Sequence, residues 1–504
     1  MPSIPDTLRF TAARCPDREA LVFGERRTTY RELHHEVERA AAELVARGLA
    51  PGDRVLLMSG NSAAFVVAAY AVLRAGGILV PANPRSAPPE LAHLLTDSGA
   101  TLLLHAPELV ALVTAGVEQA GSSPIVLTLP ELTDLIATGA APPAAHVPIE
   151  SDNAVLVYTS GTTGRPKGAL SDHHRSLWVA ANVSGAFGFR DGDRVLHVAP
   201  LYHAAELAIL LWPGTMLAMT HVVMPAFEPV AVADALAAER ISIFFGVPTM
   251  FQFLLRVPGL ADRDFSAWRV GLFGAAPMPA ATVTELVDAL PGVLLFQLCG
   301  QTEAGPGGIY SPPEDVAARP DASGRYAPPN TECRVVTLEN DDVAAGEVGQ
   351  LLLRGVTIMK GYWNRPEATA ETIIDGWLHT GDLARLDAEG YITLVDRLKD
   401  VIITGGRNVY SVEVESALDG HPDIVDVAVI GLPHPEYGET IVAVVCPRNG
   451  AEPTLDDVRA WCLERVSDYK VPRQLVLHDI PRNPSGKIQK HLLRAALTSP
   501  QPRT

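Results

Sequence analysis

Two periods of apolar positions alternate through the first hundred residues. Leu33, Val37, Ala41 and Leu44 recur at helical spacing, the mark of one buried helix face. Thr29 and Glu32 stand ahead of them at the reciprocal positions of a capping box, and Gly48 supplies the stop. The apolar run Val55 to Met58 predicts a strand, and Ser62 to about Arg74 predicts the next helix. Ile78 to Val80, a helix opening at Pro89-Glu90 and the run Thr101 to Leu104 continue the alternation. Such alternation predicts a mostly parallel sheet covered by helices. From about Gly121 to Pro148 the chain is rich in Ala, Pro and Ser and reads as a loop-heavy passage.

The alternation resumes at Ala154 to Tyr158 and builds a second unit to about residue 300. Between Gly346 and Val395 short runs separated by Gly, Asp and Asn predict a small antiparallel, β-barrel-like sheet. After Asp396-Arg-Leu-Lys-Asp400 come a strand, a helix (Ser411 to Leu418), two strands (Ile424 to Ile430, Thr440 to Cys446), a helix (Leu455 to Val466) and a strand (Gln474 to Leu477). The expected architecture is α/β. A large N-terminal domain, residues 1–398, holds two helix-covered, mostly parallel sheets and the barrel-like sheet; a small α+β C-terminal domain follows, residues 399–504.

Composition narrows the partners. Lys and Arg number 40 against 58 Asp and Glu, a net charge of −18 that disfavours nucleic acid and anionic lipid. Any anionic ligand must be caught by local geometry. Cys15, Cys299, Cys333, Cys446 and Cys462 are scattered without ligand spacing, so neither a disulfide framework nor a zinc site is implied, and a reducing cytoplasmic setting is expected. The N-terminal MPSIPDTLRF lacks the basic and apolar regions of a signal peptide. Leu207 to Phe227 carries no charge, but Pro213-Gly214 and His221 interrupt it and no basic clusters flank it. A buried segment lining an apolar pocket is expected there, with no integral membrane association.

The strongest chemical signal follows a buried strand directly: Thr159-Ser-Gly-Thr-Thr-Gly-Arg-Pro-Lys-Gly168. Three glycines let backbone N–H groups converge on an anion, four hydroxyls add donors, and Lys167 adds a point charge. The spacing is not that of a Walker A loop. A flexible Ser/Thr/Gly turn is the alternative.

TSGTTGRPKG resembles the phosphate-loop signature of the adenylate-forming (AMP-binding) enzymes, and the resemblance covers nearly the whole chain. Leu201-Tyr-His203, Gly300-Gln-Thr-Glu303, "RGVTIMKGYWNRPEAT", Trp377-Leu-His-Thr-Gly-Asp382, Asp396-Arg-Leu-Lys-Asp400, Gly405-Gly406 with Asn408-Val-Tyr410, and Pro484-Ser-Gly-Lys487 follow in the family's order. The chain looks closest to acyl-CoA synthetases acting on fatty or aryl acids. The resemblance implies ATP, Mg²⁺ and CoA, and a reaction joining a carboxylate to the α-phosphorus of ATP before transfer to a thiol.

It also implies roles. Thr159, Ser160, Gly161, Thr162, Thr163, Gly164 and Lys167 would cradle the β- and γ-phosphates; Thr302 would bond the α-phosphate and Glu303 would hold Mg²⁺. Gly274, Ala275, Ala276, Cys299 and Gly300 would border the nucleotide. Asp382 would accept both ribose hydroxyls and Arg397 would contact the ribose or phosphate region. Gly405 and Gly406 would line the CoA tunnel. Lys487 would bridge carboxylate and α-phosphate, with His203, Thr302 and Glu303 the other catalytic residues. Lys399 would be the hinge about which a mobile C-terminal domain turns. Plainer readings stand beside these: a helix cap for Glu303, a Gly-Asp turn for Asp382, a hairpin for the glycine pair and a solvated lysine for Lys487.

Departures from the family pattern are Cys299 where an adenine-stacking Tyr is usual, Gln350 for Glu, Ser411 for Pro, and the stretch Gly324 to Asn330. Gln350 and Ser411 are expected to lie away from the chemistry. The acid would sit among His203, Phe245, Gly246, Val247 and Gly274. No Lys or Arg occurs from Ala199 through Ala238, which disfavours a dicarboxylate. An aromatic or medium-chain monocarboxylic acid is favoured. Glu206, the region's one charge, either caps or solvates a helix or binds a donor on the substrate. Other readings are a stand-alone enzyme loading a carrier-protein phosphopantetheine, adenylation of another oxyanion such as nitrite, and a non-catalytic nucleotide-binding protein. A monomer or homodimer is expected.

Overall fold

The computed structural model describes residues 2–139, 142, 145–159, 165–276, 278–482 and 488–498. Its chain divides into two compact units, Met1–Cys333 with Leu353–His379, and Arg334–Leu352 with Thr380–Thr504.

The first unit carries two large sheets. One runs Gly308–Ser311, Leu294–Gly300, Val270–Gly274, Ile243–Gly246, Arg194–His197, Thr220–Val223, Glu19–Phe23, Arg26–Thr29, parallel throughout except for an antiparallel strand at each edge. The other runs Gly361–Tyr362, Lys167–Asp172, Asn153–Thr159, Ile78–Ala82, Arg54–Met58, Leu102–His105, Ile125–Thr128. Lys167–Asp172 is antiparallel to both its neighbours and the remaining pairs are parallel. The helix Tyr30–Ala46 starts where its capping box requires: the Thr29 N–H donates to Glu32 at 2.8 Å, and the Glu32 N–H donates back to the Thr29 hydroxyl. Its apolar face enters a core shared with the helix Ala63–Arg74, where Trp212 meets Tyr70 edge-on at 5.0 Å.

The passage expected to be loop is only partly so. Ile125–Thr128 is an edge strand and Leu129–Thr138 a helix, opened by a second capping box of Thr128 with Glu131. Leu129 and Leu132 are that helix's buried residues, enough to dock one face on the core. The uncharged stretch after His203 is broken by a π turn, Glu206–Leu211, and the short helix Trp212–Met216. Among the described residues no helix is long and apolar enough to cross a membrane.

The second unit is α+β. Its sheet runs Arg407–Val409, Ile402–Thr404, Gly438–Pro447, Ile424–His434, with Gln474–Leu477 beside Gly438–Pro447. Period-two burial gives it two cores. Val429, Ile441, Ala443 and Val445 pack under the helices Ser411–Leu418 and Leu455–Leu463, while Ala428, Ile430, Val442 and Val444 pack with Leu493 of the helix Lys490–Thr498. The antiparallel strands expected after Gly346 are Val348–Gly355, Trp377–Leu386 and Ile392–Arg397.

Candidate active site

In the first unit, parallel pairing fixes where the candidate residues gather. Phe244 faces Leu196, Gly246 faces Phe273 and Gly274 faces Leu298, so four neighbouring strands end together. The segments leaving those ends carry Leu201 to His203, Val247, Ala275 with Ala276, and Thr302 with Glu303. Ligands in open α/β sheets bind outside this carboxyl edge. Two glycines allow the backbones to meet: a Cβ on Gly274 would lie 2.1 Å from the Leu298 carbonyl oxygen, and one on Gly300 would lie 2.2 Å from that of Pro306. Ala275 takes a left-handed φ of 67° without being glycine, a strained conformation found where structure is held for a purpose. Cys299 is half-buried on the strand before Gly300.

The second sheet delivers Thr159 to the same carboxylate. The Thr159 hydroxyl donates to Glu303 Oε1 at 3.1 Å, and the Tyr362 hydroxyl donates to that same oxygen at 2.9 Å. The Lys167 ammonium lies 5.0 Å from the centre of the Tyr362 ring. The signature segment around Tyr362 is strapped in place by backbone bonds from Met359 N–H to the Glu303 carbonyl, Lys360 N–H to Leu170 and Trp363 N–H to Gly168. Thr159, Lys167, Tyr362 and Glu303 therefore form one cluster, and Glu303 is an anchored carboxylate, not a helix cap. Tyr362 was not among the expected site residues, although it lies inside the "RGVTIMKGYWNRPEAT" motif. The far side of the loop is held too: His93 Nε2 is 3.0 Å from the Pro166 carbonyl, and Tyr158 donates to Asp97 at 2.8 Å, an acid also paired with Arg365. Ser160, Gly161, Thr162, Thr163 and Gly164 lie outside the described residues, as does Lys487.

His203 stacks at a tilt on Tyr202, with ring centres 5.0 Å apart, where the chain turns into the π turn. Phe245 is buried at a strand end, and Gly246 and Val247 lead into the helix Pro248–Leu255. Glu206 is at no solvated helix end. It is fully buried, with Oε2 2.7 Å from Nδ1 of His197.

In the second unit, Asp382 and Arg397 are opposite each other on paired strands and form an ion pair, with Arg397 Nε 2.9 Å from the Asp382 carboxylate. The antiparallel register makes this pair. Gly405 and Gly406 form the turn of the hairpin Ile402–Thr404 to Arg407–Val409, with φ of 58° and 74° as such a turn demands. Ser411, one of the departures from the family pattern, is tied to the strand that carries Arg397. Both its N–H and its hydroxyl donate to Asp396, the neighbour of Arg397, the latter at 2.7 Å, and Lys490 donates to its hydroxyl at 2.6 Å.

Among the described residues no group of three His, Cys, Asp or Glu side chains is placed to hold a metal ion. A single anchored carboxylate, a cation and hydroxyl groups at the carboxyl edge of helix-covered sheets suit a phosphate-bearing nucleotide. Fold and site together define an adenylate-forming enzyme.

Comparison with known proteins makes the assignment specific. Residues 8–363 match the AMP-binding enzyme family and residues 413–487 match the AMP-binding enzyme C-terminal domain. The chain belongs to the AMP-binding enzyme family. It is 40% identical over 489 residues to a feruloyl-CoA synthase of Amycolatopsis sp, covering 96% of each chain. It is 34% identical over 487 residues to the long-chain-fatty-acid–CoA ligase FadD13 of Mycobacterium tuberculosis, covering 95% of this chain and 94% of that one. Among solved structures, o-succinylbenzoate CoA synthetase (MenE) from Bacillus subtilis in complex with its acyl-adenylate intermediate OSB-AMP superposes with a TM-score of 0.88. The two are 28% identical, over 99% of this chain and 98% of that chain.

Proposed function

We propose that this enzyme is an AMP-forming acid–CoA ligase acting on a monocarboxylic acid, with an aromatic acid the preferred class and a medium-chain acid next. The observation that carries the reading is the Glu303 cluster, in which two hydroxyls from separate strands fix one carboxylate beside Lys167. The similarity to a feruloyl-CoA synthase supports the aromatic preference, as does an apolar cluster that joins Ala205 to Phe245 and Met250, with no Lys or Arg between Ala199 and Ala238.

In the first half-reaction a carboxylate oxygen attacks the α-phosphorus of ATP, and the bond to the β-phosphate oxygen breaks, releasing pyrophosphate. Attack of one anion on another needs charge screening at the phosphates. Lys167 supplies a cation there, with the loop Ser160 to Gly164 as the phosphate cradle. Thr302 bonds the α-phosphate. Glu303 would hold Mg²⁺: both hydroxyls fall on Oε1, no described residue bonds Oε2, and an oxygen donor suits a hard cation. Mg²⁺ when bound supplies Lewis-acid neutralisation of the phosphates. Asp382 takes the ribose hydroxyls, with Arg397 holding its orientation and reaching toward the phosphates. Lys487 bridges the carboxylate and α-phosphate. In the second half-reaction the CoA sulfur attacks the acyl carbon and AMP leaves, with Gly405 and Gly406 flanking the pantetheine and Lys399 the hinge between residues 1–398 and 399–504. A cytoplasmic location fits these substrates.

The test is pyrophosphate release from ATP across aromatic and aliphatic acids, with and without CoA. Release with an acid and consumption of CoA are expected. Absence of release with every acid refutes the carboxylate reading, and release without CoA consumption refutes CoA as acceptor.

A further inference from the structure

Behind His203 the chain winds one π turn, Glu206–Leu211, before Trp212–Met216. Such turns sacrifice regular hydrogen bonding and recur at functional sites. Glu206 opens this turn from a fully buried position, its Oε2 2.7 Å from Nδ1 of His197 on the strand Arg194–His197. His197 Nε2 lies 2.9 Å from Nδ1 of His221 on the adjacent strand, and His221 Nε2 lies 3.1 Å from the Thr215 hydroxyl. His197, His221 and Thr215 are fully buried as well. Glu206 Oε1 is buried with no hydrogen-bond partner among the described residues. The backbone leaves room for this chain of groups: a Cβ on Gly214 would stand 2.5 Å from Cε1 of His221.

Proton counting, with no acceptor among the described residues beside Oε1 to take a proton there, gives the chain a direction. A dry site resists net charge, so Glu206, His197 and His221 together keep three protons. His197 then donates Nε2–H to His221 Nδ1, and His221 donates Nε2–H to Thr215 Oγ1. The third proton lies between Glu206 Oε2 and His197 Nδ1. Burial pushes Glu206 well above the usual carboxyl range and both histidines below theirs, which puts that proton on Glu206. A π turn, two strands and the next helix are locked in one donor order. Ala205, just before the turn, and Ala208 and Ile209 within it pack in the apolar cluster that holds Phe245 and Met250.

We propose that the Glu206–His197–His221–Thr215 chain is a positioning device for the wall of the acid pocket, setting which acids fit without touching them. This rests on the placement of the acid beside His203 and Phe245 proposed above. An all-apolar interior would fill the same volume without leaving Oε1 unsatisfied. What the polar chain adds is a fixed geometry for a turn whose own hydrogen bonding is irregular.

The test compares wild type with Glu206→Leu, Glu206→Gln, Gly214→Ala and Ala205→Leu on a graded series of aromatic and straight-chain acids, reading kcat and the KM values for acid and ATP. Glu206→Leu deprives His197 Nδ1 of its donor. It is expected to raise the acid KM about tenfold and to flatten the preference between best and worst acids, with the ATP KM within about twofold. Glu206→Gln, whose amide N–H donates to His197, is expected to restore both. Gly214→Ala, which displaces His221 and keeps every titratable group, is expected to repeat the acid-side defect. Ala205→Leu alters the wall itself and tests the underlying placement: unchanged acid selectivity there refutes the pocket reading. Altered selectivity in Ala205→Leu with wild-type selectivity in Gly214→Ala and in folded Glu206→Leu overturns the positioning proposal alone. An equal rise in acid and ATP KM also overturns it. Should Glu206→Leu not fold, Gly214→Ala decides between the two outcomes.

Discussion

Removing one hydroxyl from the Glu303 cluster should cost ATP use a calculable amount. Tyr362→Phe deletes the donor that lies 2.9 Å from Glu303 Oε1 and leaves the ring, so the Lys167 contact at 5.0 Å survives. A hydrogen bond to an ionised acceptor contributes about 1.5–3 kcal/mol. The Thr159 hydroxyl still reaches the same oxygen at 3.1 Å, which keeps the loss at the lower end. About 1.5 kcal/mol corresponds to roughly a tenfold fall in kcat/KM for ATP. Thr159→Val should behave alike. The double variant leaves a carboxylate that is only 8% exposed with neither donor. Its loss should exceed the product of the single effects, because each donor covers for the other's absence. The assay is pyrophosphate exchange at varied ATP with the acid saturating. Single effects below about threefold that simply multiply in the double variant would refute the argument, as would a defect confined to the acid.

Other expectations follow from the same structure. Lys487→Ala should abolish adenylation yet still convert supplied acyl-AMP to thioester; an equal fall in both half-reactions, followed by chromatography, removes the assigned role. Ser411→Ala deletes the link from Lys490 to Asp396 and should lower stability by about 1.5–3 kcal/mol in denaturant titration, the range for a bond to a charged group; an unchanged midpoint contradicts this. Glu206→Gln should gain stability over wild type as pH rises. Burial holds a proton on folded Glu206 that the unfolded chain releases above its ordinary value of 4.5, so this group's contribution to wild-type stability, absent from the Gln variant, falls as pH rises. The slope is about 1.4 kcal/mol per pH unit; parallel stability–pH curves for the two proteins from pH 5 to 8 would show that Glu206 is not protonated in the fold.

How far the fold could be read depended on whether the signal was local. Thr29 with Glu32 marked a helix start because a capping box is complete within four residues, and the alternating runs that follow gave the parallel sheets. Thr128 with Glu131 was an equally complete box, but Ala, Pro and Ser around it concealed a helix anchored by few buried residues. In the site, motif spacing pointed to Thr159, Lys167 and Glu303. Tyr362 carried no separate signal, since its partner Glu303 is 59 positions away and a tyrosine in a short strand reads as packing. Ser411 was set aside for a similar reason: its partner Asp396 lies 15 residues back and Lys490 lies 79 ahead. Glu206 is buried although a lone acid in an apolar stretch ordinarily faces water. The two histidines that allow its burial, His197 and His221, lie on neighbouring strands whose pairing no local pattern reveals.

The proposed first half-reaction bonds a carboxylate oxygen to the α-phosphorus of ATP. Supplying an aromatic acid labelled with ¹⁸O in its carboxyl group, together with ATP, Mg²⁺ and CoA, and weighing the AMP produced tests it directly. One ¹⁸O in AMP and none in pyrophosphate is the expected result. Unlabelled AMP, or ADP in its place, would contradict the account.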